Sequence, residues 1–231
     1  MKRLVQIRAA YRDHHVLAWA TFACGVGAAL GVVYFFAAVS AGEFLQPMYD
    51  PMTRTISELA VGRYGALQIS AFVVLGLSLW ALPAGMWRRV RATLASRAAL
   101  VLLLACGASS FVAAAFPTDL RGAMAATLSG SIHEIAASVG YSCLITAMLL
   151  FSWHFRRDRS WRQFDPVSWG LTLFGLATLV AMAVVGSDSD VIGLLQRGMA
   201  AALLAWVALA GLYAGRLSLA ARGTRLQHER H

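Results

Sequence analysis

The chain has 231 residues, of which 59% are hydrophobic and only 13% charged. A soluble globular domain is less apolar and about twice as charged, so the composition excludes an ordinary soluble fold and points to a membrane protein. The formal charge of +9 is gathered in the polar segments between apolar runs, which argues for orientation in a bilayer and against a nucleic-acid partner.

A hydrocarbon core of ~30 Å needs about 20 consecutive apolar residues per helix. Six segments qualify: residues 16–40, 64–86, 97–116, 131–153, 167–185 and 192–215. They predict an all-α fold, a six-transmembrane-helix bundle over 16–215, between a basic N-terminus (1–15) and a basic tail (216–231). Lys2, Arg3, Arg8 and Arg12 precede the first span. Arg88, Arg89, Arg91 and Arg97 surround the second connection, and Arg156, Arg157, Arg159 and Arg162 fill the fourth. Arg216, Arg222, Arg225 and Arg230 end the chain, so sixteen of the 20 basic residues share one side. The positive-inside rule makes that side cytoplasmic and predicts a multi-pass plasma-membrane protein with both termini inside. Arg54, Arg63, Arg121 and Arg197 fall on the other side.

In chain order, the first span carries a basic flank and a small-residue "AVSAG" at 38–42. Its apolar run is much longer than the ~7–15 residues of a signal-peptide core, so it is expected to be retained. Gly27-xxx-Gly31 offers the small-xxx-small spacing that lets membrane helices approach closely. The three outer connections, 41–63, 117–130 and 186–192, all carry acid: Glu43, Asp50 and Glu58, then Asp119, then Asp188 and Asp190. Each leads toward a polar helix start, at Ser57-Glu58, His133-Glu134 and Gln196-Arg197. In the second connection Leu120, Met124 and Leu128 recur at four-residue spacing, which predicts a short interfacial helix with Asp119 as its N-cap. Thr55-x-x-Glu58 and Ser131-x-x-Glu134 both read as capping boxes, at the second and fourth spans.

His133 is the group that capping does not explain. Its helical neighbours Ser129, Gly130, Ala136, Ala137 and Gly140 are all small, so this face is expected to pack against other helices. An ionisable residue facing a bundle interior is a functional-site hypothesis; the plainer account is a histidine bonded to a loop carbonyl or carboxylate. "HEIAA" lacks the second histidine of a helical zinc-protease motif, since residue 137 is Ala137. No second axial histidine lies at its depth for haem, and the lone lysine, Lys2, is far from any retinal site. Cys24, Cys106 and Cys143 fall within spans without CxxC spacing. Arg197 reads either as a snorkelling arginine or as an inward one, paired with Asp119, Asp50 or Glu134 or holding an anionic headgroup.

The strings "YDPMTRTISELAVGRYG", "FPTD", the lone histidine of the fourth span and "GLLQR" at the sixth form a recognisable series. Over residues 16 to 215 the chain resembles the prokaryotic integral-membrane family known as domain of unknown function 998. By that resemblance Asp50, Ser57, Pro117, Asp119, His133, Gln196 and Arg197 are the family-type positions, and no biochemical activity is implied. A remoter likeness is to the intramembrane metal-dependent amide hydrolases of the alkaline ceramidase and receptor-like superfamily. Ser57, Asp119 and His133 match part of their serine, aspartate and histidine set, while their paired histidines on a last helix have no counterpart here.

The leading expectation is a non-enzymatic membrane protein that binds a small ligand or lipid headgroup in an outer-leaflet polar pocket. Asp50, Ser57, Asp119, His133, Gln196 and Arg197 would line it, without a cofactor and among membrane lipids. The alternative is a metal-dependent hydrolase of lipid amides or esters, with His133 and Asp119 as ligands, also catalytic candidates with Ser57, and Ser57 or Glu134 assisting. A third reading is a structural or partner-binding membrane subunit.

Overall fold

A computed structural model describes the backbone of residues 2–228 and the side chains of residues 16–221. The side chains of Lys2, Arg3, Arg8, Arg12, Arg222, Arg225 and Arg230 lie outside the described residues. Six α-helices carry the fold: α1 (Lys2–Leu45), α2 (Gly65–Met86), α3 (Leu94–Ala115), α4 (Leu128–Phe155), α5 (Asp165–Val185) and α6 (Ile192–His228). Each contains a stretch long and apolar enough to cross a membrane, and no strand occurs among the described residues. The protein is an all-α six-helix membrane bundle.

Consecutive helices run antiparallel, so the α1–α2, α3–α4 and α5–α6 connections gather at one end, called here the lid end. The start of α1, the end of α6 and the other two connections gather at the terminal end. α1 packs between α2 and α6, α2 continues onto α3 and α3 onto α4, while α5 leans chiefly on α6. α5 is the least buried span, with Leu173, Phe174, Val180 and Val184 all turned outward. Such an exposed apolar band has the bilayer as its solvent.

Close helix approach depends on glycines, because without a hydrophobic drive between helices in lipid, van der Waals packing has to supply the attraction. The tightest backbone-to-backbone approach between helices is between Gly25 of α1 and Gly211 of α6, where a Cβ on Gly25 would land on the Gly211 carbonyl. The spacing expected to matter, Gly27-xxx-Gly31, is only half used. Gly31 faces Ser78 of α2, and a Cβ at Gly27 would meet nothing within 4 Å.

The terminal end is closed by aromatics. Phe155 and Trp161 stack at 4.3 Å between ring centroids, and Phe164 stacks on Tyr213 at 5.4 Å. Trp161 is fully buried, and its indole N–H donates to the Arg89 carbonyl at 3.0 Å. Deeper in the bundle the Trp206 indole N–H donates to Ser168 Oγ at 2.7 Å, and Ser152 Oγ lies 2.6 Å from the same oxygen. These hydroxyls satisfy one another where no water can reach them.

Two helix starts depart from the sequence expectations. Residues 117–127 form no interfacial helix: Gly122 has φ +81, which breaks the stripe, and Met124 is fully exposed. α4 begins three residues earlier than its apolar run. Its N-cap is Thr127, whose Oγ1 accepts the Gly130 N–H at 3.0 Å. Ser131 therefore sits inside the helix, donating back to the Thr127 carbonyl at 2.9 Å, and Glu134 is exposed. Thr127 prevails because Asp119 holds it: one carboxylate oxygen accepts the Thr127 N–H and the other its hydroxyl, both at 2.8 Å.

Candidate functional site

Where the three connections meet, their polar side chains bind mainly to one another, and a largely apolar cavity of about 80 Å³ lies beneath them. Helices α1, α2, α3, α4 and α6 all contribute to its wall. On α4 the lining runs from His133 to Leu144, which is about 16 Å at 1.5 Å per residue. The cavity thus reaches from the lid end to the middle of the bundle.

His133 is one of the polar residues in the wall. It is 2% exposed, with its ring edge against Phe72. Its Nδ1 lies 2.8 Å from the Phe116 carbonyl and 3.1 Å from that of Ala113, two of the oxygens left free at the end of α3. Its Nε2 is buried and has no hydrogen-bond partner. One edge of the ring is therefore anchored to backbone, and the other is buried without a partner. Gln68 sits one turn before Phe72 on α2; it is 1% exposed, and both of its amide atoms are unpartnered.

The roof is the 3-10 turn Ile56–Ala60, whose Ile56 and Ser57 line the cavity. Thr55-x-x-Glu58 caps this turn and not the second span, with Glu58 Oε1 accepting the Thr55 N–H at 2.9 Å. Gln196 fixes the turn over the cavity: its Oε1 accepts the Ile56 N–H at 2.6 Å, and its Nε2 donates to the Tyr141 hydroxyl at 3.2 Å.

Arg197 and Arg121 hold the lid. Arg197 donates to Glu43 from Nε at 3.0 Å and from Nη2 at 2.6 Å. It also donates to the Tyr49 hydroxyl and to the carbonyls of Pro51, Arg54 and Gly193. Tyr49 passes the connection on, donating to the Thr55 carbonyl at 2.7 Å. Burial pushes the Tyr49 hydroxyl up to about 12, against the opposing pull of the Arg197 hydrogen bond and charge. The first turn of α6 fits beneath this loop because residue 193 is glycine, where any Cβ would strike the carbonyls of Arg54, Pro51 and Met52. Arg121 ties all three connections together. Its backbone N–H donates to Glu58 Oε2 at 3.2 Å, and its guanidinium reaches the Thr53 carbonyl, the Asp188 carbonyl and Asp190 Oδ1.

The candidate residues therefore divide. Ser57 and His133 line the cavity, and Gln196 touches it through Tyr141. Arg197 is a clamp in the lid whose partner is Glu43, not Asp119, Asp50 or Glu134. Asp50 is exposed and closes its own turn, accepting from Met52 N at 3.0 Å and Thr53 Oγ1 at 2.9 Å. The Met52 N–H, and then the Thr53 hydroxyl, hold its carboxyl below the usual range. Asp119 is lowered in the same way, by the N–H and then the hydroxyl of Thr127. Among the described residues no three His, Cys, Asp or Glu side chains group so as to hold a metal. Tyr141, Ser109 and Ser110 line the cavity without having been anticipated; in sequence they look like packing residues of an apolar helix.

The family described as "Protein of unknown function (DUF998)" matches residues 29–213. No curated protein and no solved structure matches the chain.

Proposed function

Since the chain belongs to the DUF998 family, whose function is unknown, we propose a role from the site alone: an integral membrane protein that binds a small ligand in the cavity under its lid. In this reading the lid end faces outward across the plasma membrane and both termini are cytoplasmic, an orientation that the arginine distribution supports. The observation that supports it is the orphaned Nε2 of His133 in the cavity wall. A buried polar atom without a partner costs about 1–3 kcal/mol, more in lipid, and a bound molecule removes that penalty. The lid then serves retention, not catalysis. Its two clamping cations, Arg197 and Arg121, are taken up by Glu43, Asp190 and carbonyls, leaving Arg197 with no N–H directed at an anionic headgroup.

The test is native mass spectrometry of the full chain released from lipid nanodiscs, wild type beside Ala136→Leu. Ala136 is buried in the cavity wall, so leucine fills the space with little change elsewhere. The wild type should carry a small-molecule adduct that the folded leucine variant has lost. Equal adducts on both proteins, or none on either, would overturn the reading.

A further inference from the structure

The ligand class is written in the hydrogen bonds that the cavity leaves open. We infer, building on the cavity-binding role proposed above, that the ligand is a neutral molecule with one hydroxyl on an otherwise apolar body, the hydroxyl donating to His133 Nε2. Carbonyl oxygens only accept, so the Ala113 and Phe116 carbonyls place the ring hydrogen on Nδ1. In the neutral ring Nε2 is then a bare acceptor, and it demands a donor from whatever fills the space.

The rest of the wall restricts the ligand further. Its lining includes no Asp, Glu, Lys or Arg. An ionised ligand would enter unpaired, at a cost of several kcal/mol, so the occupant is neutral. Phe35, Phe72, Leu75, Leu79, Leu144 and Leu203 make the wall apolar over most of its area. The Ser109 and Ser110 hydroxyls already donate back to Ala105 and Cys106 of their own helix. The Tyr141 hydroxyl accepts from Gln196 and keeps its own hydrogen free among the described bonds. A ligand hydroxyl therefore donates to Nε2 and retains lone pairs that a wall hydroxyl can meet. An ether, a ketone or a hydrocarbon leaves Nε2 unpaired. At about 10–15 Å³ per water-sized group, the space of about 80 Å³ takes a body of roughly five to eight heavy atoms. Two sources share this chemistry: a free small alcohol or phenol, and the hydroxyl end of a longer lipid reaching in from the bilayer.

The experiment compares two isomers, 1-hexanol and methyl pentyl ether, which match in formula and size and differ in the donor. The full chain, labelled with ¹⁵N-histidine, is held in phosphatidylcholine nanodiscs and titrated with each at measured free concentration. The His133 resonance is identified by its loss in His133→Gln. If that variant does not fold, the thermal unfolding midpoint of the wild type reports both affinities without any variant. 1-Hexanol should shift the Nε2 signal saturably and bind about tenfold more tightly than the ether, the worth of one good hydrogen bond. Equal affinity for alcohol and ether would overturn hydroxyl recognition while leaving the cavity a binding site. Saturable binding of neither would overturn both readings, with water alone satisfying Nε2. Affinity that rises from 1-hexanol to 1-dodecanol supports the proposal with a lipid as the source, and affinity that falls supports it with a free small molecule.

Discussion

Replacing Arg197 by methionine removes the lid's central clamp without changing the bulk of the side chain greatly. The guanidinium donates to Glu43 twice, to the Tyr49 hydroxyl and to three carbonyls. Glu43 then remains, with a carboxylate no other described side chain pairs with. Breaking a fully buried pair costs about 3–5 kcal/mol, while an exposed pair is worth about 0–1. Here the side chains are 19% and 26% exposed, so Arg197→Met should cost about 2–4 kcal/mol. Glu43→Gln alone leaves the arginine its carbonyl partners and should cost less. The double variant should recover part of the loss, with a coupling energy of about 1–3 kcal/mol.

Unfolding of the detergent-solubilised chain by SDS titration, followed by tryptophan fluorescence, measures all four corners of this cycle. Arg197→Lys adds a control for geometry. Lysine keeps the charge near Glu43 but cannot bridge a carboxylate, a phenol and three carbonyls with one planar fork, so it should restore less than half of the loss. An Arg197→Met variant within about 0.5 kcal/mol of wild type, or a coupling energy near zero, would refute the clamp. Full rescue by lysine would show that charge alone holds the lid.

Two further outcomes follow from the packing and from the lid. Gly25→Ala should destabilise by about 1–3 kcal/mol, because its methyl meets the Gly211 backbone, whereas Gly27→Ala has open space and should stay within about 0.5 of wild type; the same SDS unfolding reads both, and the reverse order would refute the α1–α6 approach. Tyr49 supplies an alkaline signature: its pKa is raised from 10.0 to about 12 by burial. Below pH 10 both folded and unfolded chains keep the proton; above it the unfolded tyrosine ionises first, so stability falls as pH rises toward about 12, by up to ~2–3 kcal/mol. The difference between wild type and Tyr49→Phe should shrink across that window, and a difference that stays flat would show that the hydroxyl is not buried under Arg197.

Much of the fold is legible in the sequence because a membrane span is a local property: about 20 apolar residues declare themselves one segment at a time. Helix ends are not local in this sense. Ser131-x-x-Glu134 satisfies the capping pattern, but Asp119, twelve residues before Ser131, orients Thr127 and starts α4 earlier. The partner of Arg197 was hidden for a related reason. The first apolar run ends near residue 40, yet nothing breaks the helix before Pro47, and α1 continues to Leu45. That extension carries Glu43 to Arg197, 154 residues away in the chain. Tyr141 was illegible because one phenol in an apolar helix looks like any packing residue until Gln196 is placed beside it.

The polar residues of the lid end looked in sequence like the lining of one pocket, and the structure gives a physical reason why most of them are not. Three irregular connections leave many carbonyls near the edge of a bilayer, where unpaired backbone is costly. Arg197 and Arg121 satisfy four of them between them, at Pro51, Arg54, Thr53 and Asp188. Asp50, Asp119 and Glu58 do the same for backbone N–H groups at Met52, Thr127 and Thr55. Charge at this end is therefore chiefly a substitute for water around loops, and a charged side chain here is weak testimony to a ligand. His133 is different because only half of its hydrogen-bonding capacity is used in that way. Nδ1 meets two of the orphan carbonyls of α3, while the buried Nε2 meets nothing. Gln68 is also unpartnered, but only His133 of the two borders the cavity, so its Nε2 is where a partner must arrive from outside the chain.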